Sequence, residues 1–238
     1  MLVIHRDVTD CCPCPYLGEQ KQRLEYAFVL TLTAAEYGQM MDQRWRRFGR
    51  TLFRPVCPSC AECRPLRVVV PRFRPNRSQK RAGKLNDRDV VLSIGKPRCD
   101  ANRLDLHARY HAHQAEAKDW PSILSYSSRN YYADFVDNPF CTWEFTYKLG
   151  DRLIGVGYVD EVPDGLSAIY FFYDPQEQKR SLGTYNVLSI IREAARRRLP
   201  YVYLGYYVAA CRSLAYKANF RPNQLLEAEG VWRDFRNG

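Results

Sequence analysis

The apolar pattern is densest at Leu166–Tyr173, where polar residues hardly interrupt the run. Such a run predicts a strand covered on both faces. Further on, Val187, Leu188, Ile191, Ala194 and Ala195 recur at helical spacing, while Arg192, Arg196 and Arg197 fall elsewhere, so an amphipathic helix is predicted from Thr184 onward. Between the two, Arg180-Ser181-Leu182-Gly183-Thr184 reads as a loop. Gly183 lets the backbone come close to a ligand, and amides freed at the helix start suit an anion.

The same reading extends along the chain. Leu24, Tyr26, Phe28, Leu30 and Leu32 alternate with Glu25, Ala27, Val29 and Thr31, which predicts a strand with the first set on one face. Thr33-Ala34-Ala35-Glu36 has the spacing of a capping box, and the helix it opens is expected to end in Arg44–Arg50, with Gly49 as its C-cap. Strands are predicted at Leu66–Val70 and near Val90–Ile94, then a helix capped by Asp100 running to about Lys118. His107 and His111 sit one turn apart on it, near His113, but no HExxH pattern accompanies them, so an exposed helix face is expected. Ser128–Val136 reads as a short helical or irregular stretch. Strands at Thr142–Leu149 and Leu153–Asp160 precede the opening run, with turns at Gly150-Asp151 and Pro163-Asp164-Gly165. A strand Tyr201–Tyr206, a helix about Ala209–Asn219 and a terminal strand or tail complete the α+β pattern.

Composition narrows the function classes. At 238 residues with 46% hydrophobic content, the chain can bury a real core and shows no continuous apolar run of membrane-spanning length. MLVIHRDVTD has no charged stretch followed by an apolar one, so no signal peptide is expected. The net charge of +10, from 36 Lys and Arg against 26 Asp and Glu, favours a polyanionic partner, RNA ahead of DNA or a membrane surface. Nine cysteines point to a reducing compartment, the cytoplasm, and to metal or reactive thiols rather than a disulfide framework. Cys57-Pro58-Ser59-Cys60-Ala61-Glu62-Cys63 is a CxxCxxC. With Cys14 as fourth ligand, or Cys11 or Cys12 in its place, it fits zinc or an iron–sulfur cluster; buried or redox-sensitive thiols without metal are the alternative. Arg72, Arg74, Arg77, Lys80, Arg81, Lys84 and Arg88 crowd one segment with almost no acids, a composition suited to phosphates.

The β-β-β-α-β-α-(β) order of the second half resembles the acyl-CoA N-acetyltransferase (GNAT) fold, in which the loop before the helix cradles a pyrophosphate. Here Arg180 and Gly183 stand as in that pattern, but Tyr185 occupies the next glycine position, which argues against acyl-CoA.

Several blocks together carry a closer resemblance. Cys14-Pro15-Tyr16-Leu17, the segment from Arg54-Pro55 through Cys63, and Phe73-Arg74-Pro75-Asn76-Arg77-Ser78-Gln79-Lys80-Arg81 are followed by Leu166–Pro175 and Arg180–Tyr185. The series ends with Tyr201–Tyr207 and with Tyr216-Lys217…Phe220-Arg221-Pro222. In this order the blocks resemble the aminoacyl-tRNA–protein transferases of the N-degron pathway, most closely the short bacterial branch that moves leucine onto N-terminal Asp or Glu. The resemblance implies an N-terminal transferase domain with the cysteine cluster and basic segment (residues 1–99). A GNAT-like mixed sheet with flanking helices follows (residues 100–238) and uses aminoacyl-tRNA in place of acyl-CoA.

Such a reaction is aminolysis of an activated ester. It needs a proton acceptor, a donor for the developing oxyanion and a basic pocket for the acceptor's acidic side chain; no cofactor enters the chemistry. Asp174 is the first candidate to orient or deprotonate the amine, with Tyr170 and Tyr207 as donors. Arg180, Gly183 and Thr184 are expected to hold the terminal phosphates of the tRNA, and Lys217 and Arg221 to line the same cleft. Arg77, Ser78 and Arg81 are the candidates for the acceptor carboxylate or the tRNA 3′ end. Partners are thus aminoacyl-tRNA, with leucyl-tRNA favoured, and protein N-termini with Asp or Glu, but neither DNA nor a membrane. An arginyl donor, protein N-acetylation, or a non-catalytic RNA-binding protein with a cysteine metal site are the alternatives.

Overall fold

Two sheets share the chain, and the computed structural model describes residues 1–118 and 126–235 of it. Leu2–Val8 (β1), Cys12–Pro13 (β2), Lys21–Gln22 (β3) and Leu24–Thr31 (β4) precede helix α1, Ala34–Met41. Arg46–Phe48 (β5) and Thr51–Pro55 (β6) complete a four-stranded antiparallel sheet of order β1-β4-β6-β5. The predicted capping box is present: Thr33 Oγ1 accepts from Glu36 N at 3.2 Å and Glu36 accepts from Thr33 N at 2.8 Å. The alternation in β4 is real, but its inward face is the other one. Ala27 and Val29 are buried, whereas Phe28 and Leu30 are exposed. Ala27 and Val29 are apolar enough to be core despite Glu25 and Thr31 beside them, so the pattern alone does not orient the strand.

The expected helix end at Arg44–Arg50 is also corrected. Helix α1 stops at Met41, Arg46–Phe48 is a strand, and Gly49, at φ +50°, makes the turn into β6. Only a glycine fits there, because a Cβ would lie 1.8 Å from the Ala133 carbonyl oxygen.

Arg64–Val69 (β7), helix α2 (Arg77–Asn86), Val90–Gly95 (β8) and helix α3 (Ala101–Lys118) follow. After a helical turn at Ser128–Tyr131 (α4) come Thr142–Leu149 (β9), Arg152–Val162 (β10), Gly165–Tyr173 (β11) and helix α5 (Leu182–Arg196). Tyr201–Tyr207 (β12), the short helix Arg212–Ala215 (α6), Asn223–Leu226 (β13) and Trp232–Asp234 (β14) end the fold. The expected helix at 209–219 is therefore broken into α6 and a 3-10 turn, Tyr216–Asn219.

The eight-stranded sheet has the order β14-β13-β7-β12-β11-β10-β9-β8. Its one parallel pairing among the described strands joins β11 to β12, at Gly165–Ser167 against Tyr201–Tyr203; beyond that point the two strands part. Helix α5 covers one face with Leu182, Val187, Leu188, Ile190, Ile191 and Ala194. Helix α3 covers the other, with Leu106 and Tyr110 against Tyr158 and Phe172. A boundary at residues 99–100 does not coincide with the division between sheets. β7 and β8 both lie in the large sheet, β7 between β12 and β13.

Candidate active site at the parted strands

The antiparallel run β9-β10-β11, helix α5 and the parallel neighbour β12 form an acetyltransferase-like core, and several candidate site residues lie on the two strands beyond their short pairing. Asp174 follows the last residue of β11 and is 1% exposed. Its Oδ1 accepts from the Gln176 amide at 3.0 Å and faces Arg109 Nη1 at 3.0 Å, while Oδ2 accepts from Arg152 Nη1 at 2.7 Å. This carboxylate is thus clamped by two guanidinium groups, from α3 and β10, and its lone pairs point at donors.

Tyr170, two turns of the pleat earlier on β11, exchanges a hydrogen bond with His111 Nε2 at 2.9 Å, and burial raises its hydroxyl pKa well above that of a free phenol. His107 and His111 do not lie on an exposed face as expected. His107 is 4% exposed, with its ring 4.4 Å from that of Tyr126 and 4.2 Å from that of His111. Burial, then the neighbouring His111, brings His107 down to about 3, and burial lowers His111 as well. His111, neutral at neutral pH, therefore backs the Tyr170 hydroxyl, and the neutral His107 ring packs against His111. A buried aromatic surface on both sides of α3 was the missing signal; the histidine spacing carried no trace of it.

On the other side of the gap, Tyr207 is buried in the core with its ring 5.2 Å from Phe235. Lys217 is buried too, and its Nζ donates to the Tyr206 carbonyl at 2.6 Å. Burial, then the nearby Arg46, brings Lys217 down to about 7. Arg221 is exposed, with Nε donating to the Ala218 carbonyl at 3.2 Å.

The loop before α5 differs from expectation in detail. Gly183 and Thr184 lie in the first turn of the helix, after Ser181 at φ +54°, and a Cβ on Gly183 would meet nothing within 4 Å. Arg180 is engaged: both its Nη atoms reach Asp89, at 2.8 and 3.0 Å, and Nε reaches Glu177 at 2.9 Å. Tyr185 stands buried at the departed glycine position and donates to Asp87 Oδ1 at 2.9 Å.

Arg77, Ser78 and Arg81 are exposed on α2. Beside them, α2 and α5 enclose a groove of about 970 Å³. Phe73, Leu188 and Ile191 lie in its lining, with Lys80, Lys84 and Arg198 among its cations. Asp87, the acid in that lining, is neutralised by Arg192 at 2.7 and 2.9 Å. Sequence reasoning found the cations of α2 but not those of α5 that face them.

All nine cysteines are free thiols. Cys14, Cys57, Cys60 and Cys63 line one cavity of about 60 Å³ with Tyr16 and Tyr206. Burial, then Cys14, Cys57 and Cys60, pushes Cys63 up to about 12, so its thiol resists ionisation. Donor type and number suit zinc or an iron–sulfur cluster, yet among the described residues no three potential ligands stand close enough to hold an ion. Cys11 and Cys12 are exposed.

Comparison with known proteins says which class of protein carries this mixed sheet, clamped carboxylate, cation-lined groove and cysteine cavity, and the class is a transferase. Residues 12–81 match the family described as "Arginine-tRNA-protein transferase, N terminus", and residues 102–227 match its C-terminal counterpart. The chain belongs to this family. An "Aspartate/glutamate leucyltransferase" of Campylobacter jejuni is 36% identical over 216 residues, 90% of this chain and 89% of that protein. Proteins of the same name from Pseudomonas putida and Pseudomonas entomophila are 38% and 39% identical over 222 residues, with 90% of this chain and 89% of each relative covered. Among solved structures, the C-terminal domain of a putative lysylphosphatidylglycerol synthetase from Agrobacterium fabrum superimposes with a TM-score of 0.49 at 8% identity, over 81% of this chain and 65% of that one. No described helix is long and apolar enough to cross a membrane.

Proposed function

We propose that the chain transfers leucine from leucyl-tRNA to the N-terminal α-amino group of proteins beginning with Asp or Glu, marking them for N-degron degradation in the cytoplasm. The observation that carries this reading is the 36–39% identity to aspartate/glutamate leucyltransferases over 90% of the chain, which runs through both the cysteine region and the parted strands.

In the reaction the amine lone pair attacks the ester carbonyl of the aminoacyl-tRNA. A C–N bond forms, the C–O bond to the terminal ribose breaks, the ammonium proton leaves, and the ribose oxygen gains a proton. An α-amino group has a pKa of about 8, so alignment and removal of one proton are the main demands. Asp174 follows the last residue of β11, and its two guanidinium partners fix its direction; we assign it to orienting the amine. Tyr170, held by His111, is the donor for the developing oxyanion. Tyr207, on β12 across the gap, is a second candidate donor and packs against Phe235 in the core.

The α2–α5 groove receives tRNA phosphates. Arg77, Ser78 and Arg81 extend its basic wall, and Arg221 lies beside Arg74, whose amide donates to the Arg221 carbonyl at 3.4 Å. Gly183 and Thr184 offer open backbone at the start of α5, with Arg180 bracing that turn through Asp89. Lys217 lines the gap. Cys14, Cys57, Cys60 and Cys63 would supply the thiolates for a zinc ion or iron–sulfur cluster only by drawing closer together than they stand here; no step of transfer passes through such a group.

Labelled leucyl-tRNA and arginyl-tRNA offered side by side with an Asp-initiated peptide test the reading. Transfer of leucine supports it. Transfer of arginine alone establishes the arginyl alternative, and tRNA binding with no transfer establishes a non-catalytic RNA-binding protein.

A further inference from the structure

Arg46 and Arg47 are neighbours on β5, both buried, and their surroundings are opposite. Arg47 is fully satisfied: Nε donates to Asp160 at 2.8 Å, Nη1 to Asn138 Oδ1 at 2.8 Å and Nη2 to Thr142 Oγ1 at 2.7 Å. Arg46, 6% exposed, makes one hydrogen bond, from Nη1 to the Trp45 carbonyl at 2.9 Å. Its Nε and Nη2 are buried without a hydrogen-bond partner. These two atoms are not an arbitrary pair. Nη1 lies on the Cδ side of the guanidinium, so Nε–H and Nη2–H run parallel along the remaining edge, the edge that grips both oxygens of a carboxylate. Leaving such a fork unpaired inside a protein is costly, and among the described residues no carboxylate bonds to Arg46 or to Lys217.

The position of this fork is as specific as its shape. Arg46 and Phe48 share one face of β5, two residues apart. The Phe48 ring is 5.9 Å from that of Tyr170 on β11, and the Arg46 guanidinium carbon is 5.7 Å from the ring of Tyr206 on β12. Strand β5 therefore crosses the place where β11 and β12 part. Lys217 Nζ reaches the same residue of β12, on the Tyr206 carbonyl.

We propose that the Nε–Nη2 edge of Arg46, with the Lys217 amine beside it, binds the side-chain carboxylate of an acceptor's N-terminal Asp or Glu and so sets acceptor specificity. This rests on the transfer reaction proposed above. A planar two-oxygen group matches a single buried fork beside an aromatic ring, whereas a phosphodiester backbone needs the open α2–α5 groove. The fork is closed to solvent, so water does not occupy the edge.

Leucine transfer to Asp-initiated and Asn-initiated peptides, with the protein as isolated and with Arg46→Lys, tests this. Lysine keeps the charge and loses the fork. The expected result is a KM for the Asp peptide raised by about tenfold or more, kcat within about twofold, and a reduced preference for Asp over Asn. Lys217→Gln gives a smaller rise in the same KM, and decides the question if melting by circular dichroism shows that Arg46→Lys does not fold. An unchanged Asp-over-Asn preference in the folded variant overturns the proposal. So does loss of bound metal from Arg46→Lys with that preference intact, which would make the fork a partner of the cysteine cluster. Should the unmodified protein transfer neither amino acid, the transferase reading fails, and calorimetric binding of the two peptides without tRNA decides the carboxylate site alone. Tighter binding of the Asp peptide that Arg46→Lys abolishes supports it; equal binding of both peptides by the unmodified protein overturns it.

Discussion

Arg47 and Asp160 form an ion pair with both side chains fully buried, and it joins the small sheet to the large one. Thr142 donates to the same carboxylate at 2.7 Å. Removing one partner from such a pair leaves an uncompensated charge in the interior. Asp160→Asn is expected to lower unfolding free energy by about 3–5 kcal/mol, measured by urea denaturation followed by circular dichroism. Replacing both, as Arg47→Met with Asp160→Leu, should restore part of that loss.

Acid sensitivity follows from His107. Its folded pKa, about 3, lies below the unfolded 6.5, so the unfolded chain binds the extra proton between those values. Stability from this group is full above pH 6.5 and is lost as pH falls through that window. His111, Tyr126, Tyr131, Phe135, Tyr170 and Phe172 surround the ring, and none supplies a counter-charge. His107→Phe should therefore flatten the decline in melting temperature between pH 6.5 and pH 4 relative to the unmodified protein.

Asp174→Asn keeps the cap on Gln176 and removes the charge that holds Arg109 and Arg152. Its expected effect is a kcat lower by about tenfold or more with tRNA affinity unchanged, read by single-turnover transfer and filter binding. A full transfer rate would take Asp174 out of the mechanism.

Reversing Lys80 and Lys84 to Glu places acids in the α2–α5 groove. tRNA affinity should fall, and the slope of its dependence on salt should shrink by about one for each phosphate no longer neutralised. Filter binding across a salt series gives both. Far-UV circular dichroism should be unchanged, because both side chains are exposed.

Elemental analysis of anaerobically purified protein tests the cysteine cavity. Stoichiometric zinc or iron, reduced in Cys57→Ala and Cys63→Ala but retained in Cys11→Ala, would show that the four cavity sulfurs close around an ion; its absence is the outcome expected if they stay as far apart as they stand here.

Much of the fold was legible because its strands carry their own punctuation. Leu166–Tyr173 reads as a strand from its unbroken apolar run, and Gly150-Asp151 and Pro163-Asp164-Gly165 mark its antiparallel neighbours. The capping box at Thr33 and Glu36 is legible because both partners are local. What the sequence hid depends on distant neighbours. Phe28 and Leu30 look more like core than Ala27 and Val29, yet the small sheet turns the latter inward. His107 looks like a surface histidine until Tyr126, Tyr131 and Phe172 close around it. Arg46 and Arg47 read as a basic helix end, since a three-residue strand leaves no periodicity to detect. The site candidates on β11 and α5 were legible as motifs, but the partners that hold Asp174 and Arg180 come from β10, α3 and the α2–β8 turn.

The wedging of β7 between β12 and β13 governs the order in which the protein becomes whole. Arg64–Val69 leaves the ribosome long before either hydrogen-bonding neighbour exists, so its backbone donors and acceptors wait for the last fifth of the chain. Non-local pairing of this kind slows folding and keeps a strand edge open to wrong partners. A premature stop near residue 200 would then do more than remove a tail: it would leave an apolar strand permanently without its two sides.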